Sequence, residues 1–332
     1  MKKLGLLIAG LSLLISSGYT GWFRGDQITY AYAEEATDAE QAGAEQTDTE
    51  QAGTEQPDIE RIGAKQVDTE QAGAELTATE EPDVEKDDVD EAADSQNAAS
   101  NITIDAAHFP DANFRACILD AADANEDGIL SVLEARNCKG LNIEKYGIQD
   151  LTGIEYFTEL TYLNVSRNAL TKIDISKNSK LRDLNVSGNA LTALNLKQNT
   201  SLETLDCSQN QLTTLDVTGN VYLVDLKCTG NALTALTLTR NPRLEYLDCE
   251  GNQLSSLNVS QNTELMYLSC GNNVITTLNL KYNLKLERLS CSLNRLTTLD
   301  LSRNTALLDL ECENNKLTAI GFGHLGSLQF LN

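Results

Sequence analysis

Residues 123–134 (DANEDGILSVLE) place oxygen-bearing groups at short, regular intervals along the chain. A hard cation such as calcium takes about six to eight oxygen ligands at about 2.3–2.6 Å, and one loop can supply most of them. Gly128 would permit the sharp bend that such a loop needs at its sixth position. We therefore predict calcium as the cofactor of this loop, with Glu134 binding through both carboxylate oxygens. The predicted ligands are Asp123, Asn125, Asp127, the backbone carbonyl of Ile129, Ser131 (directly or through water) and Glu134.

The same segment fits the pattern D-x-(D/N)-x-(D/N)-G-x5-E and resembles the calcium loop of an EF-hand. The preceding helical pattern places Phe114, Ile118 and Ala121 on one face, whereas the following SVLEARNC leaves room only for a short helix. EF-hands usually pair, and the sequence contains no second loop of this kind. The resemblance therefore implies a structural site rather than a sensor; it extends to one half of a dockerin, without the duplicate half. An acidic turn that fits the pattern by chance is the alternative.

The elements that must position this loop are dominated by a 21-residue repeat, which begins at Leu160 and recurs eight times before a shortened unit at Leu328. One unit reads LETLDCSQNQLTTLDVTGN, at residues 202–220. A fixed period of this length is typical of a solenoid, in which each coil contacts only its neighbours. Such proteins present an extended surface for binding. We expect the helical unit at 101–138 to cap the open end of a solenoid at 139–332.

Each repeat alternates inward and outward residues in its first half, which predicts a short strand and, after stacking, a parallel sheet. An Asn follows each strand, and a second Asn lies on the return leg, where its amide could satisfy exposed backbone groups. The return leg is predicted to be extended, because 21 residues leave little room for a helix. The first column is Asn168, Asn189, Asn210, Asn231, Asn252, Asn273, Asn294 and Asn315; the second is Asn178, Asn199, Asn220, Asn241, Asn262, Asn283 and Asn304.

The repeat resembles the leucine-rich repeat signature L-x-x-L-x-L-x-x-N-x-L, and LTGIEYFTELTYL at 151–163 resembles the opening coil of secreted leucine-rich repeat proteins of Gram-positive bacteria, which include the internalins. The resemblance implies a repeat solenoid with a parallel β-sheet on one face, and a function as an adhesin or receptor. It does not imply a particular ligand. A right-handed β-helix, the fold of several polysaccharide lyases, is the structural alternative.

Six of the eight cysteines recur every 21 residues in an inward position that Val165 and Val186 fill in the first two units. We predict buried free thiols there, because parallel neighbours lie about 4.8 Å apart, wider than the ~3.8 Å between Cβ atoms of a disulfide. Cys117 and Cys138 lie outside the array, and their pairing is left open. The six are Cys207, Cys228, Cys249, Cys270, Cys291 and Cys312.

The N-terminal third predicts export. Two lysines precede an apolar run at 4–15, and AYA at 31–33 offers a cleavage site, so we interpret residues 1–33 as a signal peptide, with an uncleaved anchor as the alternative. Residues 34–100 contain decapeptide repeats; between 34 and 98, 22 acidic and three basic residues contribute −19 of the net charge of −24. This segment is predicted to be a disordered stalk. We expect a secreted or cell-surface protein, without nucleic-acid partners and without membrane insertion after signal removal.

Outward positions of the predicted strands would form two columns, and tyrosines adjacent to carboxylates suit a protein or glycan ligand. Soluble strand residues without a ligand are the alternative. The predicted face contains Tyr162, Asp183, Asp206, Asp225, Tyr246, Asp248 and Tyr267.

Catalysis is not predicted. The only histidines, His108 and His324, lie near the ends of the folded part, and no Ser-His-Asp, P-loop or H-E-x-x-H pattern occurs. The leading hypothesis is a binding or adhesion module; a polysaccharide-active β-helix enzyme and a structural cell-wall or assembly protein are the alternatives. The final unit stops at Asn332 without a polar cap. Folding back of the last residues, a partner, or truncation would each account for this.

Overall fold

The computed structural model describes residues 101–332 except 324, 325 and 327. The predicted signal peptide, the predicted stalk and His324 lie outside the described residues. Within the described range, no helix is both long and apolar enough to cross a bilayer.

The N-terminal unit is a helix–loop–helix joined to a two-stranded sheet. Its elements are β1 (Ile102–Thr103), α1 (Ala112–Ala121), β2 (Ile129–Leu130) and α2 (Val132–Asn137). Strands β1 and β2 pair antiparallel. Helix α1 buries Phe114, Cys117 and Ile118. The expectation that Ala121 shares this face was wrong: the helix ends there and the chain turns inward, so that Ala122 is buried instead.

Ten parallel strands form the face of the solenoid. Their order in the sheet follows their order along the chain, and the predicted parallel sheet is thus confirmed. The first strand lies one coil before Leu160, in a longer coil that pairs Gly140 with Tyr162. The strands are β3 (Gly140–Asn142), β4 (Tyr162–Asn164), β5 (Asp183–Asn185), β6 (Thr204–Asp206), β7 (Asp225–Lys227), β8 (Tyr246–Asp248), β9 (Tyr267–Ser269), β10 (Arg288–Ser290), β12 (Asp309–Glu311) and β14 (Phe330–Leu331).

The return legs run through extended and turn segments, and this part of the predicted coil is confirmed as well. Only β11 (Thr298–Leu301) and β13 (Ala319–Phe322) form a second parallel sheet within the described residues. The first coil contains the one short 3-10 helix of the described range, Ile154–Tyr156. Between the two sides lies a continuous leucine core, and each fully buried leucine contributes about 1.5–3 kcal/mol.

The asparagines of the first column join successive coils through both the N–H groups and the oxygen of their side-chain amides. Asn210 Nδ2 donates to the carbonyl of Cys207 in its own coil (3.1 Å) and to that of Val186 in the preceding coil (3.0 Å). Its Oδ1 accepts from the N–H of Leu191, also in the preceding coil, at 3.0 Å. Gln209, just before it, adopts a left-handed backbone with φ of 53°. Donor and acceptor are both used here, so only an amide side chain fits.

The second asparagine column, on the return side, supplies donors. Asn199 is fully buried and its Nδ2 donates to the carbonyls of Ile175 (3.0 Å) and Asn178 (2.9 Å), both in the preceding coil. Asp could not replace it, because a carboxylate has no proton for these carbonyls.

The cysteine column is confirmed as a row of free, buried thiols that fill the core beside the leucines. Burial raises the pKa of each of these thiols. Cys249 Sγ lies 3.4 Å from the carbonyl oxygen of Ser269. Cys117 and Cys138 are free thiols as well.

The helical unit is fixed to the first coil by one carboxylate and one aromatic side chain. Asp111 Oδ1 caps α1 by accepting from Asn113 and Phe114 N–H, and its Oδ2 accepts from Gln149 N–H at 2.7 Å. Phe109 is fully buried against Gly153, where a Cβ would lie 2.3 Å from the ring and where φ is +108°. Glycine is therefore required at 153 for the N-terminal unit to dock.

We expect Cys249→Val to change the free energy of unfolding by less than about 1.5 kcal/mol, because valine already fills the equivalent position twice. Cys249→Asp should cost more than about 4 kcal/mol, because it buries a carboxylate without a partner. Chemical denaturation of the two variants measures this difference. Rapid labelling of the native thiols by a maleimide would contradict the inward orientation of the column.

Candidate functional site

The loop between α1 and α2 is organised by the first predicted ligand. Asp123 is buried, with 5% of its surface exposed. Its Oδ1 accepts from Asp127 N–H at 3.2 Å and its Oδ2 from Gly128 N–H at 2.9 Å. Gly128 has a φ of +75°, which explains the requirement for glycine at the bend. The Asp123 carboxylate thus holds the loop in its folded conformation through these two hydrogen bonds.

The next ligands continue this network. Asn125 Nδ2 donates to Asp127 Oδ2 at 3.0 Å, and Asp127 Oδ1 accepts from Ile129 N–H at 2.8 Å. The loop then enters β2, where Ile129 pairs with Thr103 of β1. Strand β1 therefore holds this end of the loop through backbone pairing.

Glu134 closes the loop from its C-terminal end. Its Oε1 accepts from Ala124 N–H at 2.9 Å, and its Oε2 accepts from the N–H (2.9 Å) and hydroxyl (2.8 Å) of Ser131. The Ser131 bonds, first of all the backbone one, lower the pKa of Glu134. In the described part of the chain, no three His, Cys, Asp or Glu side chains converge as a metal cluster. The loop therefore contains carboxylate, amide and hydroxyl oxygens, and its carboxylates bind loop N–H groups.

The predicted face lies on the outer side of the ten-stranded sheet. Strand register places five of its members in one column at the first strand position: Tyr162, Asp183, Asp225, Tyr246 and Tyr267. Asp206 and Asp248 lie in the column at the third strand position. At about 4.8 Å per strand, Tyr162 lies about 19 Å from Tyr246 and belongs to a different part of the face.

Tyr246 and Tyr267 form a stacked pair in the middle coils. Their ring centroids are 4.1 Å apart and the ring planes differ by 3°. Lys227 Nζ lies 5.2 Å from the centroid of the Tyr246 ring, a cation–π contact. Burial raises the pKa of both phenols, that of Tyr267 to about 12, so both tyrosines are neutral at physiological pH. The pair is a rigid aromatic platform.

An ion pair lies on each side of this platform. Asp225 Oδ2 lies 3.6 Å from Lys227 Nζ, and Arg288 Nε lies 3.2 Å from Asp309 Oδ2. Lys227, Arg288 and Asp309 were not among the predicted site residues. The opposite charges at positions 225 and 227, and at equivalent positions of adjacent repeats, were the signal that could have identified them.

Asp206 and Asp248 also shape the turns that leave their strands. Asp206 Oδ1 accepts from Ser208 N–H at 3.0 Å, and Asp248 Oδ1 accepts from Glu250 N–H at 3.2 Å. Asn164 makes the same bond to Ser166 in the first full repeat. This column therefore favours Asp and Asn for a local reason, independent of any ligand.

Comparison with known proteins places this geometry among leucine-rich repeats. Residues 109–230 match a family model described as the LRR domain of the endo-beta-N-acetylglucosaminidase EndoS. Comparison with curated proteins finds no match.

Several solved structures are similar to this chain. Internalin C2 of Listeria monocytogenes is 22% identical, with 68% of this chain and 92% of that chain covered and a TM-score of 0.51. The functional domain of InlJ from the same species, described as including a cysteine ladder, is 26% identical over 69% of this chain and 72% of that chain, with a TM-score of 0.41. The LRR ectodomain of the Arabidopsis thaliana receptor kinase GASSHO1/SCHENGEN3 was solved in complex with Casparian strip integrity factor 2. It is 21% identical, with 57% of this chain and 27% of that chain covered and a TM-score of 0.50. The coils from β3 to β14 are therefore a leucine-rich repeat solenoid with an internalin-like fold, and not a β-helix.

Proposed function

We propose that this chain is an exported binding module that holds a protein ligand on the outer face of its ten-stranded sheet. The observation that carries the proposal is the stacked Tyr246–Tyr267 pair at the centre of that face. Rigid aromatic side chains provide a large contact area at low entropic cost, and they are enriched among the residues that dominate binding energy.

The contrast between inward and outward positions supports binding. Inward strand positions hold leucine in every coil from Leu163 to Leu310, because the core fixes them. The column that contains Tyr246 instead changes from coil to coil among aromatic, acidic, polar and basic residues. Packing does not impose this variety, so it is available for recognition.

Asp225 supports the same conclusion, because its ionised carboxylate lowers the stability of the folded chain. Burial raises the pKa of Asp225 to about 6, although Lys227 opposes this shift. Its Oδ1 is buried without a hydrogen-bond partner among the described residues. A strand selected for stability alone would carry Asn or Thr here, so the charge is consistent with use by a ligand.

Among the solved structures with this fold, the plant receptor is described in complex with a protein factor. This supports a protein ligand for the present chain. A glycan ligand on the tyrosine pair and a structural role in cell-wall assembly are the alternatives. Export to the outside or the cell surface of a Gram-positive bacterium, and a role in adhesion, remain part of the proposal and rest on residues 1–33 and on the fold.

We further propose that calcium binds the loop between α1 and α2 and stabilises the N-terminal unit that caps the first coil. Asp123, Asn125, Asp127, Ser131 and Glu134, with the carbonyl of Ile129, would hold the ion, which supplies positive charge to a loop rich in carboxylates. The loop joins α1 to α2, and α1 is fixed to the first coil through Asp111. A loop held in one conformation by the ion would thereby stabilise α1 in its position against the first coil.

Calcium is expected to stabilise residues 101–160 more than the distal coils. At about 1 mM calcium and a dissociation constant of about 10 µM, mass action gives about 2.7 kcal/mol. Glu134→Gln should remove most of this effect yet keep the capping box of α2, because Gln caps as Glu does. Thermal melting and hydrogen exchange, with calcium and with chelator, measure it.

Glu126→Gln is the matched control, because Glu126 lies in the same loop but at a position without a ligand role. It should retain the calcium response. Coincident melting curves of the parent with calcium and with chelator would refute the calcium proposal.

The pH dependence of stability should identify the cost of Asp225. Its folded pKa of about 6 exceeds the unfolded value of about 3.9, so the ionised form destabilises the fold above pH 6, and this cost disappears as pH falls towards about 4. Asp225→Asn should therefore be more stable than the parent at about pH 7.5, with the gap closing at about pH 4. Urea denaturation across pH measures this.

Asp216→Asn provides the opposite case. Bonds from the Thr218 hydroxyl and N–H lower the pKa of Asp216. This variant should lose stability relative to the parent at neutral pH, and the difference should disappear in acid. A gap for Asp225→Asn that widens in acid would contradict the assignment.

Tyr246→Ala with Tyr267→Ala should abolish capture of a protein partner from host-cell or bacterial surface extract with little change in melting temperature, because both side chains lie on the outside of the sheet. Tyr222→Ala with Tyr282→Ala is the control: these tyrosines are 49% and 48% exposed but lie off the face. A pull-down identified by mass spectrometry, beside a glycan array, provides the measurement. Capture that survives the first pair of substitutions would place the site elsewhere.

A further inference from the structure

Two glutamates lie over neighbouring serines, one on the strand of Tyr267 and one on the next strand. Glu250 Oε2 accepts from the Ser269 hydroxyl at 3.3 Å, and Glu311 Oε2 accepts from the Ser290 hydroxyl at 2.9 Å. Ser269 and Ser290 are register partners on adjacent strands. Since adjacent strands lie about 4.8 Å apart, the two carboxylates are brought close together although they start three coils apart.

Small residues lie next to the Glu250 carboxylate. Ser269 is 2% exposed, and a Cβ added at Gly271 would lie 3.7 Å from the carboxyl carbon of Glu250. A side chain at 271 would therefore be in van der Waals contact with Glu250. Burial and then the charge of Asp248 raise the pKa of Glu250, and Glu311 contributes to the same shift. The two glutamates thus repel each other.

No cation of the described chain neutralises this pair. Neither Glu250 nor Glu311 forms a salt bridge within the range that the structure covers, whereas Asp225 and Asp309 on the same face each have a basic partner. Tyr267 lies on the same strand as Ser269, whose hydroxyl donates to Glu250. Asp248, Glu250 and Glu311 also raise the pKa of the Tyr267 phenol, after the larger effect of burial. An aromatic ring and uncompensated carboxylates therefore share one place on the face.

We propose that Glu250, Glu311 and the ring of Tyr267 form a receptor for an arginine side chain of a protein ligand. This inference rests on the proposed function and specifies the chemistry of its central contact. A guanidinium is planar, presents hydrogen-bond donors in a fork that can bridge two carboxylates, and packs on an aromatic ring. Binding relieves the repulsion between the glutamates, and this gain is available only to a cationic ligand.

The experiment selects binders from a random-peptide display library against the full chain, in buffer with about 1 mM calcium, a typical extracellular level. Selected peptides should share an arginine. Replacing that arginine by citrulline, which keeps the shape and removes the charge, should weaken binding about tenfold or more. Glu250→Gln with Glu311→Gln should have the same effect, since Gln can still accept the serine hydroxyl bonds.

Glu264→Gln is the matched control, because Glu264 is a glutamate already paired with Lys285 at 2.5 Å. This variant should change peptide affinity by less than about twofold. All variants retain residues 34–100, so attraction of basic peptides to that acidic segment is the same in each. Melting temperatures verify that the Gln variants are folded.

Three results would overturn the inference. Peptides that lack a basic residue but depend on Tyr246 and Tyr267 would refute the arginine receptor and leave the proposed function standing. Peptides that bind independently of the tyrosines and the glutamates would refute both. Competition by calcium that disappears in the Glu250→Gln, Glu311→Gln variant would make this a metal site instead.

Discussion

Each coil from Leu160 onward has 21 residues, but its strand on the face contributes only about three of them. The backbone N–H and C=O groups in the rest of the coil, which closes around the core, therefore cannot pair within this sheet. Buried N–H and C=O groups without partners cost about 1–3 kcal/mol each, and every coil would accumulate several of them. Two asparagines per coil satisfy several of these groups, and the Oδ1 atoms on the return side, such as that of Asn199, are buried without a partner among the described residues. Asn210 satisfies a donor and two carbonyls on the strand side, and Asn199 satisfies two carbonyls on the return side. The leucine core and the cysteine column pack inside the frame that these amides hold.

The same frame determines what the outer face can do. Because every coil from Leu160 onward has the same length, equivalent side chains stand at one strand spacing from each other, and the two tyrosines one repeat apart stack. The ion pairs beside them follow from the same register. The outward residues therefore determine which ligand the face can recognise, while the coils that carry them are nearly identical. A change of one outward residue alters the surface without altering the coil.

Much of this architecture could be predicted from the sequence because the repeat makes a local rule apply many times. The strand positions, both asparagine columns and the buried thiols follow from the alternation of inward and outward residues. Other features depend on contacts between distant segments. Nothing local indicates that Thr103 pairs with Ile129, that the coil starting at Gly140 is one residue longer, or that Glu250 and Glu311 bend over serines of intervening strands. Ligand identity depends on a second molecule, which the sequence does not describe.

The asparagine columns also give the solenoid a direction. The side chain of Asn199 bonds to the coil before it, and the side chain of Asn210 bonds to its own coil and the one before it. Each coil thus completes its predecessor and is itself completed by its successor. A chain that emerges from the N-terminus during synthesis or secretion can add coils in order, each stabilising the finished part as it arrives.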